Sequence, residues 1–157
     1  MKCVIDSSAI IGLAKVGLLE FLRNYDFVVS EATYNEVTVL GKPYSRIIAD
    51  ILRGRVLYPR NRDLVDRLSR KLGLGESETI VLALELNAIA IIDDLLARKL
   101  ARRLGVKVKG LLWILLDKKE RGHLHRVKPI LDRLISEKFR ISQKLYKKVL
   151  ELAKEHD

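Results

Sequence analysis

Short apolar runs alternate with helix-forming segments along the first 110 residues of the chain. The runs are Cys3–Ile5, Phe27–Val29, Val56–Tyr58, Ala88–Ile92 and Val106–Val108. The segments between them carry apolar residues at helical spacing and begin with residues that cap helices, such as Ser, Asn or Asp. Strands that alternate with helices form a parallel sheet with helices on both faces. The pattern therefore predicts an α/β three-layer sandwich with a central, mainly parallel, five-stranded sheet.

The length of 157 residues corresponds to about one domain. Beyond the last apolar run we expect only helices, at Leu111–Arg121, at about Val127–Ile135, and from Ser142 onward. No linker interrupts the chain, and its 12 Gly and Pro residues are too few for a disordered or repetitive protein. We therefore predict a single domain, residues 1–157, with a core of about 1–110 and a helical C-terminal extension of about 111–157.

Helix boundaries follow from capping residues and from glycine. We expect one helix from Ser30 to about Leu40 and another from Asn61 to Leu72. Residues 73–75, Gly-Leu-Gly, indicate a loop, and the apolar helix after it should run from Glu76 to Leu86 and end at Asn87. Asp94 is placed to cap a helix over Leu95–Leu104.

Several classes of protein are excluded by what the chain lacks. Its single cysteine, Cys3, allows neither an internal disulfide nor a cysteine-based zinc module, and we expect it to be buried. The N-terminal apolar run ends at Asp6, which is too short for a signal peptide. The apolar run Gly110–Leu116 is too short to cross a bilayer. We therefore expect a cytoplasmic protein without a membrane partner.

The charges are unevenly distributed along the chain. Thirty Lys and Arg against 20 Asp and Glu give a net charge of +10, which points to an anionic partner. Residues 72–97 nevertheless contain no Lys or Arg and hold five acids: Glu76, Glu78, Glu85, Asp93 and Asp94. Residues 3–14 and 24–41 also lack basic residues and include Asp6 and Glu36. Carboxylates beside an apolar core need a cation, a proton or N–H donors. Either a divalent metal or distant basic side chains would meet that need.

Some of these acids follow predicted strands directly. Asp6 ends the first strand, and Asp93 and Asp94 end the fourth. Because ligands of parallel sheets bind beyond the carboxyl ends of the strands, these acids should share one edge. Helix capping is an equally good interpretation of Asp6 and a good one of Asp94. Glu36 lies mid-helix, where an exposed Glu is usual, and Glu76 opens a helix, where the dipole favours a carboxylate.

The order of these acids resembles the PIN-domain family of small metal-dependent nucleases, which includes the toxin subunits of VapBC-type systems. The resemblance rests on four motifs, in order: V-I-D-S-S-A with Asp6, Y-N-E-V with Glu36, G-E-S-E-T-I-V-L-A with Glu76, and I-I-D-D with Asp93 and Asp94. It covers Met1 to about Gly110. The tail resembles that of a subgroup with a Gly-Glu third motif and a helical C-terminal extension.

Two positions depart from the family pattern. The third acid is often Asp in the family and is Glu76 here, with a longer arm. The Thr-x-Asp of the fourth motif reads Ile92-Asp93-Asp94, so the Thr is missing. Counting on to the Leu100-Ala101 pair and Gly105 favours Asp94 as the fourth acid. Asp93 then replaces the lost hydroxyl or serves as a further ligand.

The resemblance implies a Mg²⁺- or Mn²⁺-dependent ribonuclease, in which Asp6, Glu76 and Asp94, with Asp93 as a further candidate, hold the metal. Clustered carboxylates suit these hard cations. Glu36 would complete the catalytic set as a ligand, a base or a positioner of water, and Ser8 would contact a ligand or phosphate unless it only caps a helix. The family also implies RNA, an antitoxin protein and a second copy of the chain as partners. The alternative is a catalytically weak PIN-like module that binds RNA or protein.

A basic stripe follows the fourth acid on one helix. It consists of Arg98, Lys99, Arg102 and Arg103. Spacings of four and five residues place these side chains along one side of a helix, near the carboxyl edge of the sheet. We expect the stripe to hold an RNA backbone, although a merely solvated helix face explains the same pattern equally well.

Overall fold

The computed structural model describes residues 2–156. Five parallel strands form one sheet in the spatial order β3-β2-β1-β4-β5, which confirms the predicted α/β sandwich. The strands are β1 (Lys2–Ile5), β2 (Asp26–Ser30), β3 (Val56–Leu57), β4 (Ile89–Ile91) and β5 (Val108–Lys109).

Nine α-helices and one 3₁₀ helix are found among the described residues. Those of the core are α1 (Ser7–Lys15), α2 (Glu31–Val37), α3 (Ser45–Ile51), α4 (Arg62–Leu68), α5 (Leu74–Leu86) and α6 (Leu95–Arg103). The C-terminal helices are α7 (Leu111–Glu120), α8 (Lys128–Ser136) and α9 (Gln143–Leu152), and the 3₁₀ helix is Leu19–Asn24. Over residues 2–156, no helix has both the length and the apolar character needed to cross a membrane.

Both faces of the sheet are buried, as the continuous apolar strands predict. Along β1, Cys3 and Ile5 pack into one apolar cluster, and Val4 between them packs into the other. The first cluster also takes in buried residues of α1, α7, α8 and α9, and the second takes in residues of α5 and α6. The C-terminal helices therefore complete the layer that α1 begins.

The order of strands creates a topological switch point beside β1. The chain adds β2 and β3 on one side of β1 and later adds β4 and β5 on the other. Ile5 pairs with Ile91 at the carboxyl ends of β1 and β4, and the Asp6 N–H donates to the Ile91 carbonyl at 3.0 Å. The acids that follow these two strands therefore emerge side by side at the switch point, where ligands of such sheets bind.

Some helix boundaries differ from those expected. The loop predicted at residues 73–75 is wrong, because α5 already begins at Leu74 with Gly73 as its cap residue. The Glu76 carboxylate accepts the Gly73 N–H at 3.3 Å, which is half of a capping box and allows the earlier start. Helix α2 ends at Val37 rather than near Leu40. The end of α5 at Asn87, in the left-handed conformation at φ 51°, is as expected.

Candidate active site

Asp6 lies at the centre of the candidate site. It follows β1 directly, and only 3% of it is exposed. Its side chain makes no capping hydrogen bond to α1, so the capping interpretation does not hold. Instead, Oδ1 of Asp6 accepts a hydrogen bond from the Thr33 hydroxyl of α2 at 3.4 Å. The structure thus holds this carboxylate inward, between the end of β1 and α2.

The surroundings of Asp6 disfavour its charge. Burial raises the pKa of Asp6 to about 7, and the nearby carboxylates of Glu76 and Glu36 add to the rise. The Ser7 N–H and the Thr33 hydroxyl oppose it by stabilising the charged form. A buried acid with raised pKa beside two other acids is a candidate for a functional site.

Glu76 and Glu36 approach Asp6 from two helices that pack together. Burial raises the pKa of the Glu76 carboxyl, the Gly73 N–H lowers it, and Asp94 and Glu36 raise it further. Glu36 is exposed on α2. A Cβ on Gly75 would clash with the Glu36 carboxylate, so glycine at this position leaves room for that carboxylate beside α5.

The two neighbouring acids after β4 have different surroundings. Asp94 caps α6, where Oδ2 accepts the Ala97 N–H at 2.9 Å, and it is the acid that influences Glu76. Asp93 turns toward the start of α7, where Oδ1 accepts the Leu111 N–H at 3.1 Å. Oδ2 of Asp93 accepts from the Ser8 hydroxyl at 3.5 Å. The structure brings Asp94, and not Asp93, toward the acids of the site.

Burial raises the pKa of Asp93, while the Leu111 N–H, the Arg98 guanidinium and the Ser8 hydroxyl lower it. All three groups stabilise the charged form of the Asp93 carboxyl. Asp93 therefore has the contacts of a structural acid that ties β4 to the start of α7. Ser8, the predicted contact of the first motif, belongs to this group as well.

Basic side chains fold over some acids of the cation-free segment but not over others. Glu78 is only 2% exposed and pairs with Arg62 at 2.8 Å. Glu85 accepts the backbone N–H groups of Arg60 and Asn61. Across residues 2–156, no ion pair forms at the four acids of the predicted catalytic set: Asp6, Glu36, Glu76 and Asp94.

Comparison with known families shows to which family the chain belongs. The profile of a family described as a PIN domain matches residues 2–155. This chain belongs to the PIN-domain family. PIN domains are generally nucleases that use divalent metal ions, so nuclease chemistry is the general function of the family.

A solved PIN structure is similar over most of the chain. It is that of a PilT N-terminus domain protein from the hyperthermophilic archaeon Sulfolobus solfataricus P2, with 26% sequence identity and a TM-score of 0.54. The similarity covers 74% of this chain and 92% of the other. No curated protein matches the sequence significantly.

The acids of this PIN domain have the right chemistry for a hard cation but are not gathered into a finished ligand set. Within the described part of the chain, no three His, Cys, Asp or Glu side chains are placed to hold one metal ion together. Glu76 and Asp94 each use one oxygen for a helix cap. Their second oxygens, Oε2 of Glu76 and Oδ1 of Asp94, accept no hydrogen bond from residues 2–156 and remain available as donors to a cation.

The basic stripe of the PIN domain lies on α6, which Asp94 begins. Lys99, Arg102 and Arg103 are exposed. Arg98 is half-buried, and its Nη1 donates to the Ile92 carbonyl at 3.0 Å, beside Asp93. Burial and the neighbouring Arg102 lower the pKa of Arg98. The three exposed residues therefore have freer side chains for an RNA backbone than Arg98 has.

Sequence reasoning did not single out the hydroxyl groups that surround Asp6. Thr33 and Thr79 are both fully buried, with their Oγ1 atoms 3.5 Å apart. Since Thr79 donates its proton to the Gly75 carbonyl at 2.7 Å, Thr33 is left to donate to Asp6 or to Thr79. A signal was present in the sequence, because Thr33 and Glu36 are three residues apart and share one face of α2.

Proposed function

We propose that this PIN domain is a metal-dependent endoribonuclease that hydrolyses RNA phosphodiester bonds with Mg²⁺ or Mn²⁺. One observation carries the proposal. Asp6, buried at the switch point of the sheet, has its pKa raised to about 7 by burial and by Glu76 and Glu36, and pairs with no basic residue in the described chain. A divalent cation would relieve this repulsion, and phosphoryl hydrolysis is chemistry that such a cation supports.

The residues of the chain have distinct roles in this proposal. Asp6, Glu76 and Asp94 would hold the ion through carboxylate oxygens. When bound, the ion lowers the pKa of a water molecule and offsets charge on the phosphate oxygens. Glu36, which is exposed on α2, is free to orient water or to accept its proton. Thr33 fixes the orientation of Asp6 through its hydroxyl.

The substrate and the biological setting are also part of the proposal. The exposed Lys99, Arg102 and Arg103 on α6 begin one turn beyond Asp94 and supply positive charge for a phosphate backbone. The VapBC-type resemblance supports a toxin subunit with an antitoxin protein as inhibitor and a homodimer as the working unit. It also supports a cytoplasmic location, where such a partner and RNA would be met.

The test compares the wild-type chain with Asp6→Asn on a pool of single-stranded and hairpin RNA, with Mg²⁺ or Mn²⁺. Asn keeps the size of the side chain and removes one charge from the metal-binding set. We expect cleavage to fall by orders of magnitude, because the ion is required to activate water. RNA binding, measured on the same samples, should be kept or strengthened, since a carboxylate repels phosphate. Glu31→Gln, at an exposed acid of α2, is the matched control and should cleave normally.

Two outcomes would overturn the mechanism. Equal cleavage by wild type and Asp6→Asn would place the activity at another site or in a contaminant. Binding of RNA by both proteins without cleavage by either would favour the PIN-like binding module instead.

A further inference from the structure

A groove beside α1 is not used by the proposed function. It lies between α1 and the end of α8 and has a volume of about 170 Å³. Its apolar wall is formed by Ile11, Leu134 and Phe139. Lys15, Lys138 and Glu137 also line the groove. An apolar lining with two lysines suits a ligand that has a flat apolar part and a negative charge.

The groove reaches the acid edge through Ser8. Ser8 lines the groove, and its hydroxyl lies 3.5 Å from Oδ2 of Asp93 at the end of β4. Helix α1 packs in the first apolar cluster, and α6 packs in the second, on the other face of the sheet. The groove and the basic stripe of α6 therefore flank the acids from opposite layers of the sandwich.

Lys138 occupies a backbone conformation that favours glycine. Its φ is 69°, in the left-handed region where a Cβ is strained. The turn is a Schellman motif, in which the Lys138 N–H donates to the Ile135 carbonyl and the Phe139 N–H donates to the Leu134 carbonyl, both at 2.9 Å. The side chain of Lys138 is exposed and makes no ion pair within residues 2–156. Glycine would adopt this conformation without strain, so the lysine contributes an exposed positive charge here and no backbone advantage.

We propose that this groove binds one nucleotide of a single RNA strand that crosses the acid edge, with Lys15 and Lys138 contacting a phosphate. The ribose or base would rest on the apolar wall beside Phe139. Glu137 lines the same groove, so these three charged residues together give it a single net positive charge. The proposal rests on the proposed function, because it assigns part of the RNA path to the α1–α8 side.

The chain contains its own control for Lys138. Lys154 has φ 59° and the same Schellman bonds after α9, from Lys154 N–H to Glu151 and from Glu155 N–H to Leu150. It is exposed as well. Glu155 accepts the Val127 N–H at 2.7 Å, which places Lys154 near the start of α8, whereas Lys138 follows its end. The two lysines have the same charge and the same backbone conformation. They lie at opposite ends of the pair formed by α8 and α9.

The experiment measures binding of a short labelled single-stranded RNA to Asp6→Asn protein over a range of salt concentrations. Adding Lys138→Gly should weaken binding about two- to fivefold and flatten the slope of log affinity against log salt by about 0.7. Its melting temperature should stay equal or rise, because glycine relieves the left-handed strain. Adding Lys154→Gly should change the melting temperature alike but leave affinity and slope unchanged.

Three results would overturn the nucleotide site. If both glycine variants weaken binding equally, the lysines act only through net charge. If neither changes binding while the Asp6→Asn parent binds RNA, the strand runs elsewhere, and the proposed function stands. If the Asp6→Asn parent does not bind RNA at all, the groove has no nucleotide to receive, and the ribonuclease proposal fails with it.

Discussion

Two buried carboxylates contact neighbouring residues of α2 and have opposite surroundings. Glu78 is 2% exposed, accepts the Ala32 N–H at 2.9 Å and pairs with Arg62 at 2.8 Å. Asp6 is 3% exposed, accepts the Thr33 hydroxyl at 3.4 Å and has Glu76 and Glu36 as its charged neighbours. Glu78 and Asp6 are therefore buried to the same extent, and they differ in whether a basic residue pairs with the carboxylate.

The difference separates an acid that supports the fold from one that strains it. Burying the Glu78 carboxylate is tolerable because the Arg62 guanidinium and the Ala32 N–H compensate for its lost hydration. At Asp6 the charged form lacks a cation, and its pKa rises to about 7. A buried charge that destabilises the fold is expected at functional sites, since strain and unpaired charge concentrate there.

The largest expected effect is a pH dependence of stability that Asp6 causes. The folded pKa of about 7 lies above the ordinary value of 3.8, so between these values the folded chain binds more protons than the unfolded chain. The contribution of Asp6 to the free energy of unfolding should therefore fall as pH rises from 4 to 7, by about 4 kcal/mol in metal-free buffer. Chemical denaturation of wild type and Asp6→Asn at several pH values measures it, and Asp6→Asn should lack this component. Parallel curves for the two proteins would contradict the assignment to Asp6.

Arg62→Met should make Glu78, like Asp6, a buried carboxylate without a basic partner. The variant keeps an unbranched apolar stem but leaves the buried Glu78 carboxylate without its cation. We expect the free energy of unfolding at pH 7 to fall by about 3 kcal/mol. Arg67→Met, at an exposed position of the same helix, is the control and should be nearly neutral. An equally small effect of both variants would mean that the ion pair with Arg62 is not what distinguishes Glu78 from Asp6.

A divalent metal ion should compensate the buried charge of Asp6, and so stabilise the fold, without affecting Glu78. At about 100 times the dissociation constant, Mn²⁺ or Mg²⁺ should stabilise the wild type by roughly 2.7 kcal/mol. Differential scanning calorimetry in metal-free and metal-containing buffer measures the shift. The triple variant Asp6→Asn, Glu76→Gln, Asp94→Asn should not respond, while Glu85→Gln, whose carboxylate contacts only backbone N–H groups in the described chain, should respond like wild type. Equal shifts in all three proteins would exclude a specific metal site.

The smallest expected effect concerns the basic stripe on α6. Replacing Lys99 and Arg102 of α6 with Ala should weaken RNA binding for all sequences alike. The salt dependence should flatten by about 0.7 for each phosphate of a single strand that the variant no longer neutralises. Filter binding at several salt concentrations measures both quantities. Arg67→Ala with Arg70→Ala, at two exposed basic positions in and just after α4, is a control of equal charge. An unchanged slope in the α6 variant would move the RNA path away from that helix.

The sequence determined the layers of the fold and the edge where the acids gather. Short apolar runs make strands because their side chains alternate between two faces, as Cys3, Val4 and Ile5 do across the two apolar clusters. Asp6 and Asp94 follow such strands, so their place at the carboxyl edge was predictable from the chain alone. Asn87 and Asp94 also ended and began helices as their chemistry predicts.

Only the tertiary structure decided which acids stay without a partner. Glu78 and Glu76 are two residues apart in one cation-free segment, yet Arg62 reaches the first of them and no basic residue in the described chain pairs with the second. Asp93 and Asp94 are adjacent, yet one turns to Leu111 and the other approaches Glu76. Local spacing fixes the face on which a side chain lies, because helix and strand geometry repeat over a few residues. The identity of its partner depends on how distant helices return to pack against the sheet, and that information is not local.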